Sequence, residues 1–229
     1  MTQKKSNASS EELHEGDLYR QVESFFLKNR NMIVGVFAVL VIGIGGYFGY
    51  KKLIQEPKEL DARNKIDTVQ EFFAMDSLDL ALNGDGINPG ALSIISSYKN
   101  TATGNLAHYY AGAIYLKKKE FDNAIMYLEK YKPGTDEIAG VTFRMLGDAY
   151  SEKNEMDKAI DYYVKAGDKA NSKFFSPAYY KMAGELMLVQ EKYSDALAIF
   201  QKIKDEYPLS EEGQNIQKEI AFAQTKLGK

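Results

Sequence analysis

The chain has 229 residues, a formal net charge of −3, no cysteine and only two histidines. A slightly acidic balance argues against non-specific nucleic-acid binding, which rests on a basic patch. The lack of cysteine removes disulfides, thiolate chemistry and cysteine-based zinc sites.

In chain order, residues 1–10 (MTQKKSNASS) are small and polar and read as a disordered tail. Residues 11–31 form an amphipathic segment in which Leu18, Val22, Phe25 and Phe26 follow i, i+4, i+7, i+8 spacing. Two roles fit this stripe: an interfacial segment resting Phe25 and Phe26 at lipid headgroups, or a docking helix for a partner. From Met32 to Tyr50 run nineteen uncharged residues. At about 1.5 Å per residue they reach roughly 28 Å, the hydrocarbon thickness of a bilayer. The acidic flank before the run and Tyr50-Lys51-Lys52 after it do not make a cleaved signal peptide, so 32–50 reads as a retained transmembrane helix. Its flanking positive charges are Arg20, Lys28 and Arg30 before it, and Lys51, Lys52, Lys58, Arg63 and Lys65 after it. That count leans towards a C-terminal side in the cytoplasm, although long domains translocate largely regardless of charge. Within the run, Gly45, Gly46 and Gly49 make a smooth face suited to contact with another membrane helix, whether a partner's or a second copy's.

After Pro57 a helical run is expected from Glu59 to about Leu82, carrying Leu60, Ile66, Val69, Phe72 and Phe73. It ends at Asn83-Gly84-Asp85-Gly86, which reads as a structural turn. As a calcium loop with Gly86 sixth, it would place Ala81 first and Leu92 twelfth, where carboxylates are required. A shorter helix is expected from Pro89 to Tyr98, so residues 57–104 read as a helical pair.

From residue 105 the chain repeats itself. Ala111-Gly112, Leu146-Gly147 and Ala183-Gly184 recur at spacings of 35 and 37. Three residues after each glycine stands a large residue (Tyr115, Tyr150, Met187), and nine later an alanine (Ala124, Ala159, Ala196). Small residues at two such points let antiparallel helices cross closely, while large ones fill the space around the crossing. Polar turns at Lys119–Asp122, Asn154–Asp157 and Glu191–Asp195 place an Asp or Asn just before each second helix.

These windows resemble tetratricopeptide repeats. The first departs from the pattern with His108 for the usual aromatic, Tyr131 at a normally small position and an early Pro133. The resemblance implies an all-α fold, one N-terminal transmembrane helix followed by a tetratricopeptide-repeat helical solenoid: three repeats over 105–209, a degenerate extra repeat within 57–104 and a capping helix at 210–229. It also implies a groove lined by Tyr109, Lys117, Arg144, Asp148, Lys181 and Glu185, a mixture suited to an extended polypeptide. Tyr109 and Ala113 stand where the Lys/Asn set that clamps a terminal carboxylate would begin, which argues against that ligand.

The whole architecture, with Val22-Glu23-Ser24-Phe25-Phe26 ahead of a glycine-rich anchor, resembles the YfgM-like proteins that accompany the SecYEG translocon. Ala81–Gly86 and Gly104–Gly112 resemble members from Bacteroidota. That likeness implies a bacterial inner-membrane protein, single-pass, with its N-terminus cytoplasmic and its repeat domain periplasmic, meeting SecYEG, periplasmic chaperones or secreted chains. A structural scaffold for another envelope assembly, in division or outer-membrane machinery, is the competing expectation. The sequence carries no P-loop, dinucleotide fingerprint, nucleophile elbow or His/carboxylate metal spacing, so neither catalysis nor a cofactor or metal is expected.

Overall fold

A computed structural model describes residues 19–228. The tail at 1–10 and the beginning of the amphipathic segment, Leu18 included, lie outside the described residues. The chain divides into two compact units, Met1–Pro57 and Lys58–Lys229. No strand is present among the described residues.

In the first unit residues 19–28 are helical, and the rings of Phe25 and Phe26, both exposed, meet edge to face. Asn29 leaves helical geometry (φ −105°, ψ 12°), and its amide Nδ2 donates to the Phe25 carbonyl at 2.9 Å. Helix α1, Arg30–Tyr50, then covers the whole apolar run with no buried residue. It passes through a π-helical turn, Lys51–Gln55. The helical run that begins at Arg30 is, among the described residues, the one long and apolar enough to cross a membrane.

Helical hairpins build the second unit. The single helix expected from Glu59 to Leu82 is in fact two, α2 (Glu56–Ala74) and α3 (Leu78–Asn83). Asp76 takes a left-handed conformation (φ 57°) and the Ser77 amide donates back to the Phe72 carbonyl at 2.8 Å. A 6→1 bond with one left-handed residue closes a helix C-terminus and reverses the chain. Nothing in Met75-Asp76-Ser77 advertises that turn, because the left-handed residue is not glycine.

The same closure recurs three times. Helices α5 (Ala102–Lys117) and α6 (Phe121–Lys130), α7 (Asp136–Glu152) and α8 (Met156–Ala170), and α9 (Ser176–Val189) and α10 (Tyr193–Glu206) are joined through left-handed Lys119, Asn154 and Glu191. The amides of Glu120, Glu155 and Lys192 donate to the carbonyls of Tyr115, Tyr150 and Met187 at 2.8–2.9 Å. Asp122, Asp157 and Asp195 stand inside the first turn of each second helix, not before it, and the N-caps Glu120, Glu155 and Lys192 make no side-chain cap. The carboxylates therefore complement the helix dipole and leave the turn to the backbone bond.

Each hairpin glycine packs against the large residue sixteen positions later. A Cβ on Gly112 would come within 2.6 Å of Leu128 Cγ, and one on Gly147 within 2.6 Å of the Tyr163 ring; Gly184 lies against Phe200. Tyr115 stacks on Tyr127 (5.4 Å, 14°) and Tyr150 on Tyr162 (5.3 Å, 8°) at matching positions of successive hairpins. Neighbouring hairpins are tied at one edge by Asp79 with Lys118, Asp122 with Lys153 (2.6 Å) and Asp157 with Lys192 (2.5 Å).

Between α3 and α4 (Ala91–Ser97), Asp85 accepts hydrogen bonds from the amides of Ile87 and Asn88, so its carboxylate serves the turn. Thr101 caps α5 by accepting from Gly104 N at 2.9 Å while its hydroxyl donates to the Tyr98 carbonyl. Ser210 makes the same two bonds with Gly213 N and the Tyr207 carbonyl. Over 210–229 two helices stand in place of one, α11 (Glu211–Asn215) and α12 (Gln217–Lys226), broken at Ile216. The break turns Ile216 and Ile220 onto Phe200 and Ile203, both fully buried, while Phe222 stays exposed. Three larger buried clusters, around Ile66–Ile114, Ala113–Ala183 and Ile160–Ile220, and a smaller one of Ala166, Ala170 and Tyr179 run along the unit, each shared between adjacent hairpins.

Candidate interaction surface

Tyr109, Arg144 and Lys181 each stand three residues before the glycine of their hairpin, and Asp148 and Glu185 one residue after it. The glycine is turned onto the second helix of the hairpin, so these positions occupy another face of α5, α7 and α9.

Arg144 and Asp148 form an ion pair along α7, and the Tyr163 hydroxyl donates to the second carboxylate oxygen at 2.8 Å. Burial holds the Asp148 carboxyl above its ordinary range, opposed by the Arg144 guanidinium and the Tyr163 hydrogen bond. The Tyr163 hydroxyl is pushed up as well, by burial first and by the Asp148 charge second. Arg144 and Asp148 are thus already partnered, a clamp between α7 and α8 whose outer edge is open to solvent.

Lys181 and Glu185 lie 3.8 Å apart along α9. Lys117 sits away from both pairs: it binds Asp76 at 2.6 Å and lies over the Phe73 ring, which ties α5 to the preceding turn. Five of the six residues therefore fall into two ion pairs and the separate Lys117, while Tyr109 packs among aromatic rings.

Two further tyrosines join this face. Tyr109 packs on Tyr131 (centroids 5.4 Å apart) and on Tyr110 (5.6 Å), and Tyr110 in turn meets Phe73 (5.7 Å). Tyr179, from the start of α9, lies within reach of the Arg144 and Asp148 charges and near the Tyr109 hydroxyl. The hydroxyls of Tyr109, Tyr131 and Tyr179 have no hydrogen-bond partner among the described residues; Tyr109 is half-buried, and Tyr131 and Tyr179 are buried at 8% and 6% exposure, with no more than the edge of each hydroxyl in reach of solvent. Burial of their rings raises all three above the ordinary phenol value, so they stay neutral donors. Tyr131 had a sequence signal, since a large residue stood where a small one is usual; Tyr179 had none.

Around the clamp, then, the hairpins on either side of α7 and α8 place neutral hydroxyls on aromatic platforms. Such groups can donate to and accept from the main chain of an extended polypeptide, while the rings cover its apolar side chains. No cluster of three or more metal-ligating side chains occurs among the described residues.

A family model described as a tetratricopeptide repeat-like domain matches residues 23–220, a span that takes in the apolar helix as well as the hairpins. No curated protein and no solved structure matches the chain.

Proposed function

The chain belongs to the tetratricopeptide repeat-like domain family, a non-catalytic protein-interaction fold, and from that premise we propose that it is a membrane-anchored adaptor serving as an ancillary subunit of the SecYEG translocon. In this reading α1 anchors the chain in a bacterial inner membrane with the N-terminus cytoplasmic. The hairpin unit works in the periplasm, receiving emerging polypeptides or chaperones on the face that carries Tyr109, Tyr131 and Tyr179. Residues 105–209 act as three repeats and 210–229 as their cap. The α2–α3 hairpin acts as a degenerate fourth, with Val69, Phe72 and Ala81 at the glycine, large-residue and alanine positions. The observation that carries the adaptor role is the set of unpartnered tyrosine hydroxyls around the Arg144–Asp148 pair, a surface built to bind and not to react. The translocon assignment rests on the likeness of the anchor and its Phe25-Phe26 flank to YfgM-like proteins.

Purification in mild detergent followed by mass spectrometry tests the assignment. SecY should be recovered at stoichiometric levels; its absence, with division or outer-membrane components in its place, would transfer the adaptor to another envelope assembly. Gly45, Gly46 and Gly49 have open space around them, so Gly45→Leu with Gly49→Leu should leave the fold intact and release the partner. Unchanged co-purification would remove the anchor from the contact. A reporter active only outside the cytoplasm, fused after Lys229, should be active if the proposed orientation holds.

A further inference from the structure

We propose that the C-terminal end of the hairpin array holds a second interaction surface, a cleft that takes a basic segment of a partner protein bearing bulky apolar side chains. The cleft, about 680 Å3, is walled by the α8–α9 loop on one side and by the chain around the α10–α11 turn on the other. Phe174 and Leu209 line it, and they are 84% and 90% exposed.

Both walls are fixed in shape. Ser172 Oγ accepts from the amides of Phe174 (3.2 Å) and Phe175 (3.3 Å). The fully buried Ser176 accepts from Ser172 N at 3.0 Å and donates to the Gly167 carbonyl at 2.8 Å. Across the cleft, the two Ser210 hydrogen bonds hold the turn from which Leu209 projects. A lone exposed apolar side chain is ordinary, but two held by rigid turns in one cleft have the form of interface anchors.

Charge selects the occupant. Asp205, Glu206, Glu211 and Glu212 line the same cleft against Lys173 alone. None of the four forms an ion pair with a described residue. Glu211 and Glu212 also face the start of a five-residue helix, and Asp205 accepts a hydrogen bond from Gln201 Nε2 at 2.9 Å, but Glu206 has no such local use. Unpaired carboxylates beside apolar anchors favour lysine or arginine next to leucine- or phenylalanine-sized groups. The same carboxylates disfavour an anionic lipid surface, and a second copy would bring an identical acidic rim against this one.

The test uses the full chain in an uncharged detergent and a short fluorescein-labelled peptide alternating lysine with leucine, read by anisotropy. The control replaces each lysine by glutamate. The lysine peptide should bind, more weakly as salt rises, and the control should not. Phe174→Ser with Leu209→Ser should weaken binding about tenfold or more. Glu206→Gln with Glu211→Gln and Glu212→Gln should lower affinity and flatten the salt dependence. Tyr109→Phe, in α5 and outside the cleft lining, should leave binding unchanged, which keeps this test independent of the adaptor reading. Circular dichroism should be unaltered, since every substituted side chain in the cleft is at least partly exposed. Failure of the lysine peptide to bind, equal binding of the control, or indifference to the Phe174/Leu209 pair overturns the proposal. So does self-association abolished by Leu209→Ser, which would give the cleft to a second copy.

Discussion

At the scale of single residues, packing decides where small side chains are required. Alanine favours a helix over glycine by about 1 kcal/mol, so Gly147→Ala would stabilise α7 if space allowed. It does not: the added methyl would meet two carbons of the Tyr163 ring at 2.6 Å, and that ring is buried with its hydroxyl tied to Asp148. Overpacking should win, with a net loss of about 1–3 kcal/mol in urea unfolding. His108 offers the opposite case. Its Nδ1 is buried without a partner, its ring lies against Tyr127, and burial followed by the Lys130 charge holds its pKa below the ordinary value. A lowered folded pKa means the unfolded chain takes up the proton first, so stability is whole above pH about 6.5 and declines as pH falls below it. His108→Phe should raise stability by about 1 kcal/mol at neutral pH. Unfolding midpoints measured across pH 7 to 5 should show that decline shrinking in the variant.

At the scale of elements, the four chain reversals share one device with four different residues at its centre. Left-handed geometry costs a non-glycine residue about 1–2 kcal/mol, and asparagine bears it best. Lys119→Gly and Glu191→Gly should therefore each gain about 1 kcal/mol in thermal unfolding, while Asn154→Gly should gain little. This device also explains what could be read from the residues alone. The later hairpins were legible because glycine and alanine mark the points where helices cross. The α2–α3 hairpin was not: Val69 holds the glycine position, Asp76 makes the turn, and α3 ends after six residues. On the surface, repeat register singled out Tyr109, Lys117, Arg144, Asp148, Lys181 and Glu185, of which Lys117 is engaged with Asp76 and Phe73. The Tyr163 hydrogen bond and the approach of Tyr179 depend on how neighbouring hairpins stack, which no local spacing encodes. The Asp–Lys ties at the hairpin edge were hidden for the same reason, since their partners lie 31 to 39 residues apart in sequence.

At the scale of the whole molecule, stability in the hairpin unit should be distributed by nearest neighbours. Helices α7 and α8 have a hairpin on each side, whereas α10 relies on α11 and α12 to cover Phe200 and Ile203. Amide hydrogen exchange should be slowest over α7 and α8 and fastest over α3 and α12. Ending the chain after Ser210 should bare both side chains and speed exchange throughout α9 and α10 before it affects α5 and α6. Following such events needs no added label. The chain has no tryptophan, so its near-ultraviolet signal comes chiefly from tyrosine. Two near-parallel phenol pairs, Tyr115 with Tyr127 and Tyr150 with Tyr162, sit one in each of two successive hairpins. Aromatic rings held face to face at this separation couple their electronic transitions. The molecule therefore carries its own optical gauge of whether each of those two hairpins is closed.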